Sequence, residues 1–366
     1  MTMTIGVEEE FHLVDRESRR STDAVAAVLR GVGRDEEIVP ELKASMVESN
    51  SRVHTSLSEL RADLADLRRD LQSAAASVGA ALLAAGTAPL HGEDALRTYP
   101  KERYLEMSED FPSLERDQVV AGVQTQVGIP DRDIAVQVVS RAQRFAPVML
   151  ALAAGSPFWD GEDTGYASWR TRVWERWPSA GPTAPFGSAA EYDATVDALL
   201  ASGTIRDAGM VYFDVRVSSH QPTVEFRVCD AVDRLDDVVM LAGLWRAVAM
   251  TCVAEISDSS SPAPARVEVT QGARWRAARS GLAGQLVDPS SGESVAAPDA
   301  VASLLAAVQP ALAETGDLDY VERRVAAVLA DGGPAARQRS AYSRNDSMTD
   351  VVDLLLAETA GSAPAG

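Results

Sequence analysis

Lysine is nearly absent from this 366-residue chain. It occurs only at Lys43 and Lys101, so almost all of the 34 basic residues are arginine, which suits forked contacts to carboxylate and phosphate. Cysteine is as scarce. Cys229 and Cys252 cannot build a disulfide framework or a cysteine-based zinc site, and both read as packing residues. The histidines His12, His54, His91 and His220 are scattered singly, and His12 reads as a structural histidine. Positive charge is in deficit, 34 basic against 54 acidic residues for a net charge of −20, and so negative a field excludes broad nucleic-acid binding. No secretory signal opens the chain. The most apolar long stretch, residues 238–256, carries Arg246 at its centre and follows Asp236 and Asp237, so it reads as a buried helix and not as a membrane span. There is no Walker-type glycine loop, Gly31-Val-Gly33 lacks the rest of a dinucleotide fingerprint, and no Gly-x-Ser-x-Gly elbow accompanies His220. These absences point to a cytoplasmic protein with neither nucleic acid nor membrane as partner.

What is present is ordinary globular composition, 46% hydrophobic and 24% charged. Leu57, Leu60, Leu64, Leu67 and Leu71 recur at spacings of three and four, an amphipathic helix that runs into the alanine-rich stretch 74–85. Its heptads end too soon for a coiled coil, so it is expected to pack on a sheet. Further helices are expected at 133–154 (kinked at Pro147), 188–202, 232–257, 298–313, 319–330 and 348–359. Breaks are expected at 178–185, 258–264, 288–293 and 332–334. The organisation is one domain over 1–360 and a flexible tail over 361–366.

The strands carry the chemistry. In residues 4–15, Ile5, Val7, Phe11 and Leu13 share one face, with Glu9 the exception among them, while Gly6, Glu8, Glu10 and His12 share the other. Residues 120–129 set Val123, Thr125, Val127 and Ile129 against Gly122, Gln124, Gln126 and Gly128. Residues 211–217 set Val211, Phe213, Val215 and Val217 against Tyr212, Asp214 and Arg216. Residues 222–229 set Val224, Phe226 and Val228 against Thr223, Glu225, Arg227 and Cys229. A solvated antiparallel face would give the same alternation. Taken jointly, the strands predict an α+β fold: a mainly antiparallel sheet, helices on its apolar side, and a concave charged site on the other. Gly122 and Gly128 suggest that something approaches the backbone closely.

Glu8 and Glu10 project together about 7 Å apart, Glu41 and Glu48 lie in the next hairpin, and Glu225 sits on a late strand. Carboxylates crowded on one face repel unless solvent or a cation relieves them. A hard-oxygen donor set selects magnesium or manganese. Arg216 and Arg227 point onto the same face. They can clamp a phosphoryl group or carboxylate, pair with Asp214 or Glu225, or do both.

These residues resemble a known family. Gly6-Val-Glu-Glu-Glu-Phe11, Ser156-Pro-Phe-Trp-Asp-Gly161, Asp163-Thr-Gly-Tyr-Ala-Ser-Trp-Arg170, Asp214-Val-Arg-Val-Ser-Ser219, Pro222-Thr-Val-Glu-Phe-Arg-Val-Cys-Asp230 and Ala273-Arg-Trp-Arg-Ala-Ala-Arg-Ser-Gly281 are similar to blocks of the YbdK-type carboxylate–amine ligases, the type 2 glutamate–cysteine ligases. The blocks run in order from about residue 4 to about residue 356. The resemblance implies a glutamine synthetase-like fold that binds ATP and Mg²⁺ (or Mn²⁺). It also implies activation of a carboxylate, the γ-carboxylate of glutamate, as an acyl phosphate that an amine such as cysteine attacks. Small-molecule amino acid and amine substrates follow, and a homodimer is compatible. Carried over by position, Glu8, Glu10, Glu41, Glu48 and Glu225 are the metal ligands. Arg227 faces phosphate, Arg216 lies near the reacting carboxylate, and Arg170 contacts substrate. Where members read Gly-x-His-x-His-Val-Gly, this chain has Gly122-Val-Gln-Thr-Gln-Val-Gly128, which puts Gln124 and Gln126 in the substrate-binding positions of histidines. Gly155 and Ala273 likewise replace asparagine. Two alternatives stay open: a non-catalytic member binding nucleotide or a small acid, and a phosphotransferase of the related guanidino kinase type.

Overall fold

Alternating burial from Ile5 to Glu10, then a fully buried run from Phe11 to Val14, makes β1 (Ile5–Asp15) the spine of the sheet, in a computed structural model that describes residues 3–258 and 266–361. The tail expected from 361 lies outside the described residues beyond Gly361, as does the expected break after Asp258. The other strands, in chain order, are β2 (Ile38–Pro40), β3 (Met46–Asn50), β4 (Ala80–Leu83), β5 (Val123–Gly128), β6 (Phe158–Trp159), β7 (Glu162–Asp163), β8 (Val215–Val217), β9 (Thr223–Phe226), β10 (Gln285–Val287) and β11 (Ser294–Ala296). Seven of them form one sheet in the order β2-β3-β1-β5-β9-β8, with β4 also on β1, and every pairing in it is antiparallel. β6–β7 and β10–β11 are separate hairpins.

The apolar face of the sheet is buried under helices. Leu57–Ser77 starts at Ser56, whose side chain accepts from the Ser58 amide, and buries the five leucines of its stripe. Leu235–Ser257 is the helix expected at 232–257. By length and apolarity it could cross a membrane, but 67% of its most apolar stretch is buried inside the protein. Trp245 stacks on Phe226 of β9 with ring centroids 4.2 Å apart. Arg246 donates to the Thr55 carbonyl at 2.6 Å and pairs with Asp317, which satisfies a charge that a lipid-facing helix could not carry. One continuous apolar core runs from Ile5 to Val328.

Three local expectations are corrected. The helix expected at 133–154 is two, Arg132–Ala142 and Ala146–Ala153, because Pro147 falls in the first turn of the second, where its missing N–H costs nothing. The alanine-rich stretch after residue 77 is β4, not helix. The strand expected at 211–217 is only Val215–Val217, since Asp214 turns to pair with Arg274 at 3.0 Å.

Glu9 is explained by the helix beneath it. It points to the apolar side and is 3% exposed, and Arg68 of Leu57–Ser77 meets it at 2.6 Å while donating also to the carbonyls of Val232 and Asp233. A buried pair of this kind is costly to break on one side only. Glu9→Ala should therefore destabilise the protein by about 3–5 kcal/mol in urea unfolding, and Glu9→Leu with Arg68→Met should recover part of that loss. Equal losses in the single and double variants would show that the pair is not the cause.

Candidate active site

Register collects the acids. Glu10 of β1 stands opposite Glu48 of β3, and Glu8 stands between Asn50 of β3 and Gln124 of β5. Further across, Gln126 of β5 is opposite Glu225 of β9, and Glu225 is opposite Arg216 of β8. Glu41 joins from the turn after β2. Glu8, Glu10, Glu41, Glu48, Gln124, Arg216 and Arg227 all line one cavity of about 540 Å³ over the polar face. Glu225 lies just beneath it, 2% exposed.

The face divides into an acidic and a basic half. On the acidic half, burial and then the Glu225 charge push Glu8 up to about 7. Burial and then Glu10 push Glu41 up to about 7. Burial, then Glu8, Glu41 and Glu10, hold Glu48 well above the ordinary carboxylate range. On the basic half, burial alone would raise Glu225, but the Arg227 and Arg216 guanidiniums override it and hold the carboxyl down at about 2. Arg216 grips Glu225 with two bonds of 3.0 Å, and its remaining nitrogen donates to the carbonyls of Gly209 and Val211. Arg227 donates to Glu225 and to the Gln124 carbonyl oxygen, and its guanidinium lies 5.6 Å from the centre of the Trp174 ring. Gln124 in turn donates to Glu10 at 2.9 Å, and Gln126 donates to Glu8 at 2.9 Å.

The rest of the cavity wall was not legible beforehand. The helix Glu102–Asp110 contributes Arg103 and Tyr104, and the loop before β8 contributes Asp207 and Tyr212. Arg103 meets Asp207 at 2.8 Å, and Arg206 meets Glu106 at 2.9 Å and also Asp110, so ion pairs clasp this helix to that loop at the rim. Trp174, Trp177 and Tyr212 form an aromatic wall, with Trp174 and Tyr212 centroids 4.6 Å apart. Pairs such as Arg103–Asp207 join residues with no common motif, which leaves no signal in one sequence. The closely spaced Trp174 and Trp177, and Tyr212 on the polar face of 211–217, were the available hints.

Several expected contacts are placed elsewhere. Arg170 does not line the cavity. It is 4% exposed, buried beside the cavity with its guanidinium 5.7 Å from the centre of the Trp174 ring, and it donates to the carbonyls of Arg227 and Val228. Gly122 is small because a Cβ there would lie 2.4 Å from that Arg170 guanidinium, and Gly128 because a Cβ would meet Thr4 Oγ1 at 2.2 Å; the close approaches are made by the chain itself. Cys229 lies past the end of β9 and is buried with its sulfur near the Met149 carbonyl, and Cys252 is buried too. His12 is fully buried, and burial drives its imidazole down to about 3, so it is neutral. Asp230, also buried, accepts from Ser156 Oγ at 2.6 Å, Ser168 Oγ at 2.7 Å and the Gly155 amide at 3.0 Å, which knots the segment 155–170 to the end of β9.

The donor set fits a hard divalent cation: carboxylate oxygens crowded until protons must relieve them. It is not a finished cage, since among the described residues no three such groups already converge on one ion position. Both Glu10 oxygens are engaged, one by Gln124 and one by the Gly122 amide at 2.6 Å, but a carboxylate offers about four lone-pair directions and can bind further.

An antiparallel sheet with helices on one side and this cavity on the other defines a glutamine synthetase-like α+β fold. The glutamate–cysteine ligase of Francisella tularensis, solved in complex with AMP, superposes with a TM-score of 0.72 at 13% identity, covering 98% of this chain and 88% of that one. The bifunctional glutathione synthetase of Pasteurella multocida gives 0.69 at 13% identity over 98% of this chain and 52% of its own. The chain belongs to glutamate–cysteine ligase family 2, whose model matches residues 4–355. A Frankia casuarinae protein provisionally named glutamate–cysteine ligase 2-2 is 44% identical over all of this chain, and one from Rhodococcus jostii, provisionally named 2-3, is 47% identical over 98%. The chain spans less than half of these two relatives, 42% and 45% of their lengths, but 90% of a 45% identical Mycolicibacterium smegmatis relative.

A raised carboxyl stabilises the fold below its unfolded pKa, and that stability is lost as pH rises through the folded value. For Glu8 and Glu41 the window runs from about 4.5 to about 7. Glu225, held low, acts in the opposite sense only below that window. In the absence of divalent cations, Glu48→Gln should therefore melt at a higher temperature than wild type at pH 8, with the difference shrinking toward pH 5. A lower melting temperature for Glu48→Gln at pH 8 would mean that the crowded acids are not a cost.

Proposed function

We propose that the chain is an ATP-dependent carboxylate–amine ligase that activates the γ-carboxylate of glutamate and joins it to an amine such as cysteine. The observation that carries this reading is the cavity itself: four glutamates, Glu8, Glu10, Glu41 and Glu48, line it beside two guanidiniums, with Glu225 just beneath. Family membership and the AMP-bound structural relative support it. In this reading Glu8, Glu10, Glu41, Glu48 and Glu225 hold Mg²⁺ or Mn²⁺, and the ions neutralise the triphosphate and the charge developing on it.

A carboxylate is a poor electrophile, so a carboxylate oxygen first attacks the γ-phosphorus and ADP leaves. The amine nitrogen then attacks the acyl carbon, the carbon–oxygen bond to phosphate breaks, phosphate leaves, and the nitrogen gives up a proton. The protein provides no covalent nucleophile; it orients and neutralises. In this reading Arg227, beside the acids and with its guanidinium 5.6 Å from the centre of the Trp174 ring, meets the transferring phosphoryl group, and Arg216 holds the reacting carboxylate. On the same reading Arg170 acts indirectly, by fixing the backbone that carries Arg227. The cytoplasm, where ATP is supplied and the free thiols of Cys229 and Cys252 persist, is the compartment this reading assigns.

A coupled ADP-release screen across pairs of amino acids and amines should find a metal-dependent turnover. Glu8→Ala and Glu225→Ala should each lower it on the order of 10²–10³-fold. Near-normal rates in both variants would overturn the site. Calorimetric ATP binding without turnover under any pairing would favour a non-catalytic nucleotide-binding protein, and a stable phosphorylated product without amide would favour a phosphotransferase.

A further inference from the structure

Gln124 and Gln126 sit on the seam between the acidic and basic halves of the face. Gln124 is 3% exposed; its Nε2 donates to Glu10 Oε1 at 2.9 Å and its Oε1 accepts from Arg227 Nη1. Its orientation is fixed at both ends, because an ionised carboxylate only accepts and a guanidinium only donates. Gln126 repeats the arrangement two residues on: Nε2 donates to Glu8 Oε1 at 2.9 Å, and Oε1 accepts from the Thr223 hydroxyl of β9. The amide oxygen is the one atom of a glutamine able to ligate a hard cation, and here each already accepts a hydrogen bond, from Arg227 and from Thr223. Gln126 does not reach the cavity wall at all.

We infer that Gln124 and Gln126 are positioning residues: struts that aim Glu10 and Glu8 at a divalent cation and touch neither the cation nor the substrate. The inference rests on the metal-dependent reading above. Glu8 and Glu10 lie on a strand whose opposite neighbours on β3 include another acid, Glu48, so repulsion alone would splay them. An amide donor facing each one opposes that, and an amide neither gains nor loses a proton near neutral pH. Through Gln124 the same strut reaches Arg227, so the acid that faces the metal and the guanidinium that faces phosphate are held at one fixed separation.

The test uses the full chain and Mn²⁺ as probe, with free Mn²⁺ followed by electron paramagnetic resonance. Gln124→Leu and Gln126→Leu should each bind Mn²⁺ about 10–100-fold more weakly than wild type, with KM for the amino acid substrates unchanged at saturating Mn²⁺. Unchanged Mn²⁺ affinity with a raised KM would make the glutamines substrate contacts and overturn the inference. A second measurement needs no metal. In EDTA at pH 8, the melting-temperature shifts of Gln124→Leu, Glu10→Gln and the double variant should be non-additive. Additive shifts would overturn the strut. Should wild type itself take up no Mn²⁺, the metal reading falls, and the cycle still decides whether Gln124 holds Glu10. If Gln124→Leu does not fold, Gln124→Met, which keeps the chain length, serves in both measurements.

Discussion

Like charge placed side by side on a sheet is the constraint around which this molecule is built. Glu10 opposite Glu48, with Glu8 one step along, is an arrangement that local energetics disfavour, and burial first, then the neighbouring acids, raise the proton affinities of Glu41 and Glu48. The fold tolerates it because the other face of the same strands is mainly apolar and backed by helices, so slipping the register by one residue would bury the acids and expose Phe11 and Leu13. The hydrophobic core thus holds the glutamates together against their own repulsion. Arg216 and Arg227, fastened to Glu225, set the opposite potential a few strands away.

Much of this was written in the period-two pattern. Alternation in residues 4–15 and 222–229 separated Glu8, Glu10 and Glu225 from the core, and the leucine stripe from 57 to 71 named the helix that covers it. The pattern failed where a single residue answered to a distant partner. Asp214 reads as a face-sharing neighbour of Arg216, yet a buried arginine sixty positions later turns it away. Arg170 reads as a substrate contact because it is charged and lies in a distinctive block, but it is spent on main-chain carbonyls. Glu9 looked like an error in the alternation and is half of a buried ion pair with Arg68. Helix 102–110, polar and short, carried no periodic signal strong enough to place it at the rim.

Asp230 shows what the recognisable blocks are for. It gathers Ser156, Ser168 and the Gly155 amide, while Arg274 fastens Asp214; several of the blocks that mark the family therefore meet one another through buried side chains next to the cavity. A signature of this kind reports the chassis on which Arg227 and Glu225 are mounted. It follows that a chain can keep every such block intact while the lining chosen from Arg103, Tyr104, Trp174 and Tyr212 drifts to suit a different guest, so ancestry is legible in the hidden masonry and diet only in the exposed plaster.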